Sequence, residues 1–188
     1  MNLLHRWYCR SERWRTIVEN EIVPWALEGL ELGGNVLEIG PGPGLTTDVL
    51  RKRLDRLTCL EIDAKLAELL DKRLRGSNVT VRHGDGAEMP FEDGMFSGAV
   101  SFTMLHHMAS ASLQDRMFCE VFRVLAPGGT YAGTDSLWSR GMVWFHLADT
   151  MRLVDPAGLP ERLQAAGFEE VRVEPGNTRF KFSARRPL

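Results

Sequence analysis

The stretch VLEIGPGPGLTTDVL, Val36 to Leu50, carries the most chemistry in its spacing. Gly40, Gly42 and Gly44 alternate with other residues behind an apolar run, and Glu38 lies just ahead of them. Glycines in such a row permit backbone angles, and a close ligand approach, that a Cβ would block. In open parallel sheets, ligands bind beyond the C-terminal ends of the strands. A helix starting near Gly44 would aim its free N–H groups and positive end at the same ligand.

The spacing separates one ligand class from another. A GxGxxG dinucleotide fingerprint would need a further glycine at position 45 or 47, where the chain has Leu45 and Thr47. A phosphate-binding loop would need Gly-Lys-Ser/Thr, which does not occur here. The pattern is ExGxGxG. A carboxylate beside the loop repels pyrophosphate and suits a ligand with an ammonium group. S-adenosylmethionine has an ammonium, a carboxylate and a sulfonium, and no phosphate. The expectation is that the loop faces its carboxylate and ribose, with Glu38 toward the ammonium, directly or through water.

Two later acids fit the same ligand. In LTCLEID, Glu61 falls at the offset of an acid that accepts hydrogen bonds from ribose hydroxyls. Asp63 competes for that role but reads as the N-cap of the next helix. In HGDGAEMPF, Asp85 is placed to accept from the adenine amino group, and the Gly86 backbone to donate to the ring. Met89, Pro90 and Phe91 could wall the adenine, although plain core is the stronger reading for Met89 and Phe91. His106 and His107 follow the fourth apolar run, where a transferred methyl would sit. Histidine is poised near neutral pH, and a base is needed only when an acceptor must lose a proton. Trp7, Trp14, Trp138, Trp144, Phe145 and His146 are candidates for an acceptor pocket, and together they point to an apolar or aromatic acceptor.

These residues need elements to position them. From residue 35, short apolar runs alternate with helical periodicity: NVLEIG, LTCLEID, VTVRHGD, FSGAVSFTML and TYAGTD read as strands, with helices between. That alternation implies a parallel sheet covered on both faces. Ser112 and Asp115 are spaced like a capping box for SLQDRMFCEVFRVL. LPERLQAAGF reads as a helix, and EEVRVE, PGN and TRFKFSARR as a hairpin. Residues 1–28 read as one amphipathic helix that Pro24 ends or kinks. The expected organisation is a single domain over 1–188: a helical lid at 1–28, a cofactor-binding core at 34–135, a substrate-side insertion at 136–158, and a helix and hairpin at 159–188.

At 188 residues with a net charge of −2, the chain can bury one core and offers no general attraction to nucleic acid. Cys9, Cys59 and Cys119 lack paired spacing, which argues against disulfides and zinc and for buried thiols. No apolar stretch is long enough for a bilayer and no signal-peptide pattern occurs, so the expected location is cytoplasmic.

The sequence resembles the class I S-adenosylmethionine-dependent methyltransferases over about residues 34–188. The resemblance rests on VLEIGPGPG, LTCLEID, GDGAEMPFEDGMF, SFTMLHH, EVFRVLAPGG and AGFEEVRV…FKFSARRP, in that order. It is nearest the small-molecule and quinone C-methyltransferases. It implies an α/β, Rossmann-like seven-stranded sheet of order 3-2-1-4-5-7-6 with strand 7 antiparallel. It also implies S-adenosylhomocysteine as product, and Glu61, Ile62, Asp85, Gly86 and Ser101 joining the glycines around the cofactor. LEIGPG…LTCLEID is similar to ribosomal RNA adenine dimethyltransferases too, but those carry Asn-Leu/Pro-Pro-Tyr/Phe where this chain has SFTMLHH. Many relatives have Asp where Ser97 stands.

The leading expectation is methyl transfer to a small molecule. The rivals are a cofactor-binding regulator or partner subunit without transfer, and a lipid or quinone enzyme resting its basic N-terminal helix (Arg6, Arg10, Arg13, Arg15) on an anionic membrane. A short-chain oxidoreductase would need Tyr-x-x-x-Lys, which neither Tyr8 nor Tyr131 begins.

Overall fold

The computed structural model describes residues 11–139 and 151–188. The chain opens with α1 (Glu12–Ile17), a π-helical turn (Val18–Ile22) and α2 (Val23–Ala26). Ser11 caps α1 by accepting the Trp14 N–H. The helix does not end at Pro24. A proline in a helix has no N–H to give and crowds the preceding turn's carbonyl. The wider π turn just before it takes up that misfit, and the helix runs on to Ala26.

The strands and helices then alternate as β1 (Asn35–Ile39), α3 (Leu45–Leu50), β2 (Arg56–Glu61), α4 (Ala64–Leu74), β3 (Val79–His83) and β4 (Phe96–Phe102). A 3-10 turn (Leu105–His107), α5 (Ala111–Val124), β5 (Leu125–Ser136), α6 (Leu159–Ala165), β6 (Glu169–Pro175) and β7 (Arg179–Arg185) complete the order. The seven strands form one sheet in the order β3-β2-β1-β4-β5-β7-β6. β1 to β5 run parallel, and β7 lies antiparallel to both β5 and β6. The expected topology, including the terminal hairpin, is the one observed.

Strand parity sorts the core into two layers. Val36, Leu57, Cys59, Val100 and Phe102 face α3, α4 and the N-terminal helix through Leu45, Val49, Leu70, Leu74, Val18 and Ile22. Leu37, Ile39, Ala99 and Tyr131 face α5 and α6 through Met117, Phe118, Val121, Leu159 and Leu163. Each such large apolar side chain contributes about 1.5–3 kcal/mol on burial. Tyr131 is the centre of the second layer, with ring centroids 5.0 Å from Phe182 and 5.9 Å from Phe168.

Two local expectations are corrected. The cap of α5 is Ser110, whose Oγ accepts the Leu113 N–H; Asp115 instead pairs with Arg162 across to α6. Cys119 is exposed, because α5 buries Gln114, Met117, Phe118, Val121 and Val124 and turns position 119 outward. Cys59 is buried as expected, and Cys9 lies outside the described residues.

Candidate cofactor site and acceptor side

The parallel register brings the ends of β1, β2, β3 and β4 side by side. Ile39 is opposite Leu60 on one side and Ser101 on the other, and Glu61 is opposite His83. The chain then turns sharply. Gly40 donates its N–H to Leu60 O at 2.9 Å and Gly44 donates to Pro41 O at 2.9 Å. Gly42 and Gly44 have φ of +55° and +85°, in the left-handed region that favours glycine. A Cβ at Gly42 would meet nothing within 4 Å, so this glycine faces open space. A Cβ at Gly44 would come within 2.4 Å of Leu70 Cδ1 and 2.5 Å of Arg73 Nη2.

Glu61 grips this turn. It is 5% exposed; one carboxylate oxygen accepts the Gly42 N–H at 2.9 Å and the other accepts the Asp63 N–H at 2.9 Å. Each oxygen keeps a second lone pair for a further donor. Asp63 itself caps α4, accepting the Lys65 and Leu66 N–H groups, as its position predicted. On the neighbouring strand end, Gly84 donates to Glu61 O, and Asp85 Oδ1 accepts the Ala87 N–H at 2.8 Å. Asp85 is exposed, and Ile62, beside Glu61, is 66% exposed. Gly86 passes so close to the sheet that a Cβ would lie 3.3 Å from Ile39 Cγ2.

Two of the expected cofactor residues have their side chains engaged elsewhere. Glu38 is 1% exposed and faces α3, where the hydroxyls of Thr46 and Thr47 donate to its two oxygens, the latter at 2.6 Å. Burial raises its pKa, partly offset by those hydroxyls and by the Cys59 thiol. Glu38 therefore ties the first turn of α3 to β1. Ser101 is fully buried, and its Oγ bonds Tyr131 Oη at 2.8 Å. Its side chain is not grouped with Glu61 and Asp85.

The loop after β3 is held from α5. Glu120 accepts the Met89 N–H at 2.7 Å, while Arg123 donates to Met89 O, Phe91 O, Asp93 and Glu120. The Arg123 bond is the main cause of a lowered Glu120 pKa. Met89 is core, and Phe91 packs edge-on against Phe96 with centroids 5.1 Å apart.

Beyond β4 the backbone is strained. Thr103 has φ +50°, a conformation β-branched residues rarely adopt. The 3-10 turn that follows buries His106, whose Nδ1 lies 2.5 Å from Asp135 Oδ1 at the end of β5. The His106 N–H also donates to Asp135 Oδ2, and the Ser136 N–H donates to Oδ1. An ionised carboxylate only accepts, so beside an ionised Asp135 the proton between them belongs to Nδ1. The His107 ring is half-buried, with its centroid 4.2 Å from that of His106. Asp135 was missed in the sequence; its signal was an acid ending the strand beside the one that leads into two histidines.

Among the pocket candidates, Trp14 lies under the Arg179 guanidinium at 5.7 Å, and Trp138 is 67% exposed just after β5. Trp7, Trp144, Phe145 and His146 lie outside the described residues. Among the described residues no His/Cys/Asp/Glu group could hold a metal, and no helix is long and apolar enough to cross a membrane.

A family model for a methyltransferase domain matches residues 37–133, more than half of the chain. The chain belongs to this methyltransferase family. Family members take S-adenosylmethionine as cofactor, as the ExGxGxG loop and its two following acids predict, and release S-adenosylhomocysteine, as the resemblance implies. A probable S-adenosylmethionine-dependent methyltransferase of Mycolicibacterium smegmatis is 32% identical over 157 residues, covering 80% of this chain and 58% of that protein. A probable ribosomal RNA small subunit methyltransferase A of Thermococcus onnurineus is 38% identical over 79 residues, 41% of this chain and 29% of that one. The chain thus spans less than two thirds of the length of these relatives. Among solved structures, a phosphoethanolamine N-methyltransferase 2 of Haemonchus contortus, in complex with phosphomonomethylethanolamine and S-adenosylhomocysteine, shares the fold. Its TM-score is 0.74 at 14% identity, covering 98% of this chain and 56% of that one. The cofactor fits the methyltransferase site: open space at Gly42, unused lone pairs on Glu61 and an exposed Asp85.

Proposed function

We propose that this chain transfers a methyl group from S-adenosylmethionine to a small, apolar or aromatic acceptor by in-line displacement. The observation that carries the reading is the Glu61 carboxylate holding the Gly42 amide at 2.9 Å beside the exposed Asp85. It joins the glycine turn and two acids at successive strand ends into one cradle. Gly40, Gly42 and Gly44 line the amino-acid end of the cofactor, Glu61 takes the ribose hydroxyls, and Asp85 and Gly86 take the adenine, with Ile62 against the ring. Glu38 supports this set from behind, through Thr46 and Thr47.

The bound cofactor supplies a methyl already activated by a sulfonium. The chain's own task is to align the acceptor and exclude water. His106, oriented by Asp135, takes the proton of an acceptor that must lose one; His107 is its neighbour in that role. Trp14 and Trp138 are the described residues that we assign to the apolar side of the acceptor pocket. The small-molecule and quinone C-methyltransferase branch is the nearest family setting for such an acceptor.

The rivals have less support. A regulator without transfer activity has no use for the buried His106–Asp135 pair. Membrane docking through the N-terminal helix is weakened at Arg15, which turns toward Asp48 and Glu12. An RNA base acceptor would call for the Asn-Leu/Pro-Pro-Tyr/Phe segment in place of SFTMLHH. The test pairs calorimetry against S-adenosylhomocysteine with methyl-labelled cofactor and a protein-free cell extract. Binding plus a labelled small molecule is expected; label in RNA, or binding with no labelled product, overturns the reading.

A further inference from the structure

The glycine turn is gripped from two sides by groups of opposite charge. Glu61 takes an amide, that of Gly42. Arg73, in the last turn of α4, takes carbonyls: its Nη2 donates to Pro43 O at 3.3 Å and to Gly44 O at 3.2 Å. Its Nη1 is anchored on Asp48 of α3, at 2.8 Å from Oδ1 and 2.7 Å from Oδ2. Asp48 also draws Arg51 and, from the N-terminal helix, Arg15, at 3.4 Å and 3.8 Å. The guanidinium occupies the space left by the missing Gly44 side chain, since a Cβ there would meet Nη2 at 2.5 Å.

We propose that Arg73 is a positioning residue of the cofactor site, holding the Pro43 and Gly44 carbonyls so that the glycine turn keeps its binding shape before the cofactor arrives. A peptide unit is planar and trans, so pinning a carbonyl on one side fixes where the following N–H points. With Glu61 on the Pro41–Gly42 peptide and Arg73 on the Pro43–Gly44 and Gly44–Leu45 peptides, the single Gly42–Pro43 unit between them is held at both flanks and the turn loses most of its freedom. Ordering that a ligand would otherwise have to impose is already present, and affinity rises accordingly. A simple surface ion pair with Asp48 would not do this; such pairs contribute little. The carbonyl bonds make the difference.

The inference rests on the cofactor reading, and the experiment separates the two. S-adenosylhomocysteine affinity is measured by calorimetry, ligand-free melting by scanning calorimetry, and amide exchange of the glycine turn by NMR. The chains are wild type, Arg73→Ala, Arg73→Lys and Asp48→Asn. Arg73→Ala is expected to weaken binding about tenfold, the scale on which groups behind a binding shell act. The Gly44 amide should exchange faster, with ligand-free melting little changed. Arg73→Lys recovers part of the affinity, because an ammonium can reach one carbonyl. Asp48→Asn loses less than Arg73→Ala, because the carbonyl bonds remain. If Arg73→Ala melts too early to be measured, Arg73→Lys against Asp48→Asn decides, a weaker Lys variant being expected. Wild-type affinity in both Arg73 variants, or equal losses in Arg73→Ala and Asp48→Asn, overturns the inference alone. A wild-type chain that does not bind overturns the cofactor reading, and the inference with it.

Discussion

The two halves of the cleft are built differently. On the donor side, turns after β1 and β3 are held chiefly by their backbone groups: Glu61 and Arg73 on one, Glu120 and Arg123 on the other. On the side proposed for the acceptor, an acid 29 positions away on the next strand holds a side chain, the His106 imidazole, as well as that residue's own N–H. Backbone grips shape a site for an invariant ligand such as a cofactor. A fixed imidazole shapes chemistry at one atom. The two halves should therefore fail in different ways, binding in one and turnover in the other.

Asp135→Asn presses hardest on that distinction. An amide beside Nδ1 can donate as well as accept, so the imidazole loses its enforced tautomer. Label transfer from methyl-labelled cofactor, to the acceptor found in extract, is expected to fall about 10²–10⁴-fold where that acceptor must lose a proton, the share that general-base catalysis supplies. S-adenosylhomocysteine affinity should hardly move. Parallel losses of binding and transfer would erase the distinction between the halves.

Gly44→Ala against Gly42→Ala sharpens the donor side. Both alanines would sit at positive φ, which costs about 1–2 kcal/mol. Only the Gly44 Cβ also collides, with Leu70 and Arg73, whereas the Gly42 Cβ enters open space. Gly42→Ala should then lower the ligand-free Tm by roughly 2–4 °C for each kcal/mol of strain, and Gly44→Ala by clearly more. Both should weaken S-adenosylhomocysteine binding, Gly42→Ala because its methyl fills the approach. Full affinity in Gly42→Ala would mean that the ligand does not pass there.

This asymmetry also governs what could be read from the chain beforehand. The alternating elements, the terminal hairpin and Asp63 as a cap follow from local periodicity and turn chemistry, the strand order follows from the family resemblance, and each is found. The glycine turn and Glu61 are legible because their spacing along the chain reflects adjacent parallel strand ends. Asp135 and Arg73 are not, because their partners come together only once β5 lies beside β4 and α4 packs over α3. Glu38 shows the reverse difficulty. Its place in the motif suggested a ligand, but strand parity turns it toward α3, where Thr46 and Thr47 meet it. Cys119 was misjudged for a similar reason, since its neighbours in the apolar run occupy the buried stripe of α5.

The smallest effects come from two carboxylates behind the donor-side turns, and they should have opposite signs with pH. Glu120 has its pKa lowered, first by the Arg123 bond, from the usual 4.5. Its contribution to stability is present above pH 4.5 and is lost as pH falls through the lowered value. The melting gap between wild type and Glu120→Gln should therefore narrow on acidification below 4.5. Glu38 has its pKa raised from 4.5, first by burial. Its favourable share is present below 4.5 and is lost as pH rises through the raised value, so Glu38→Gln should gain on wild type as pH climbs from 4.5. Melting curves from about pH 3 to 7 check both, and trends of the same sign would mean that one carboxylate is held otherwise than by the groups named for it.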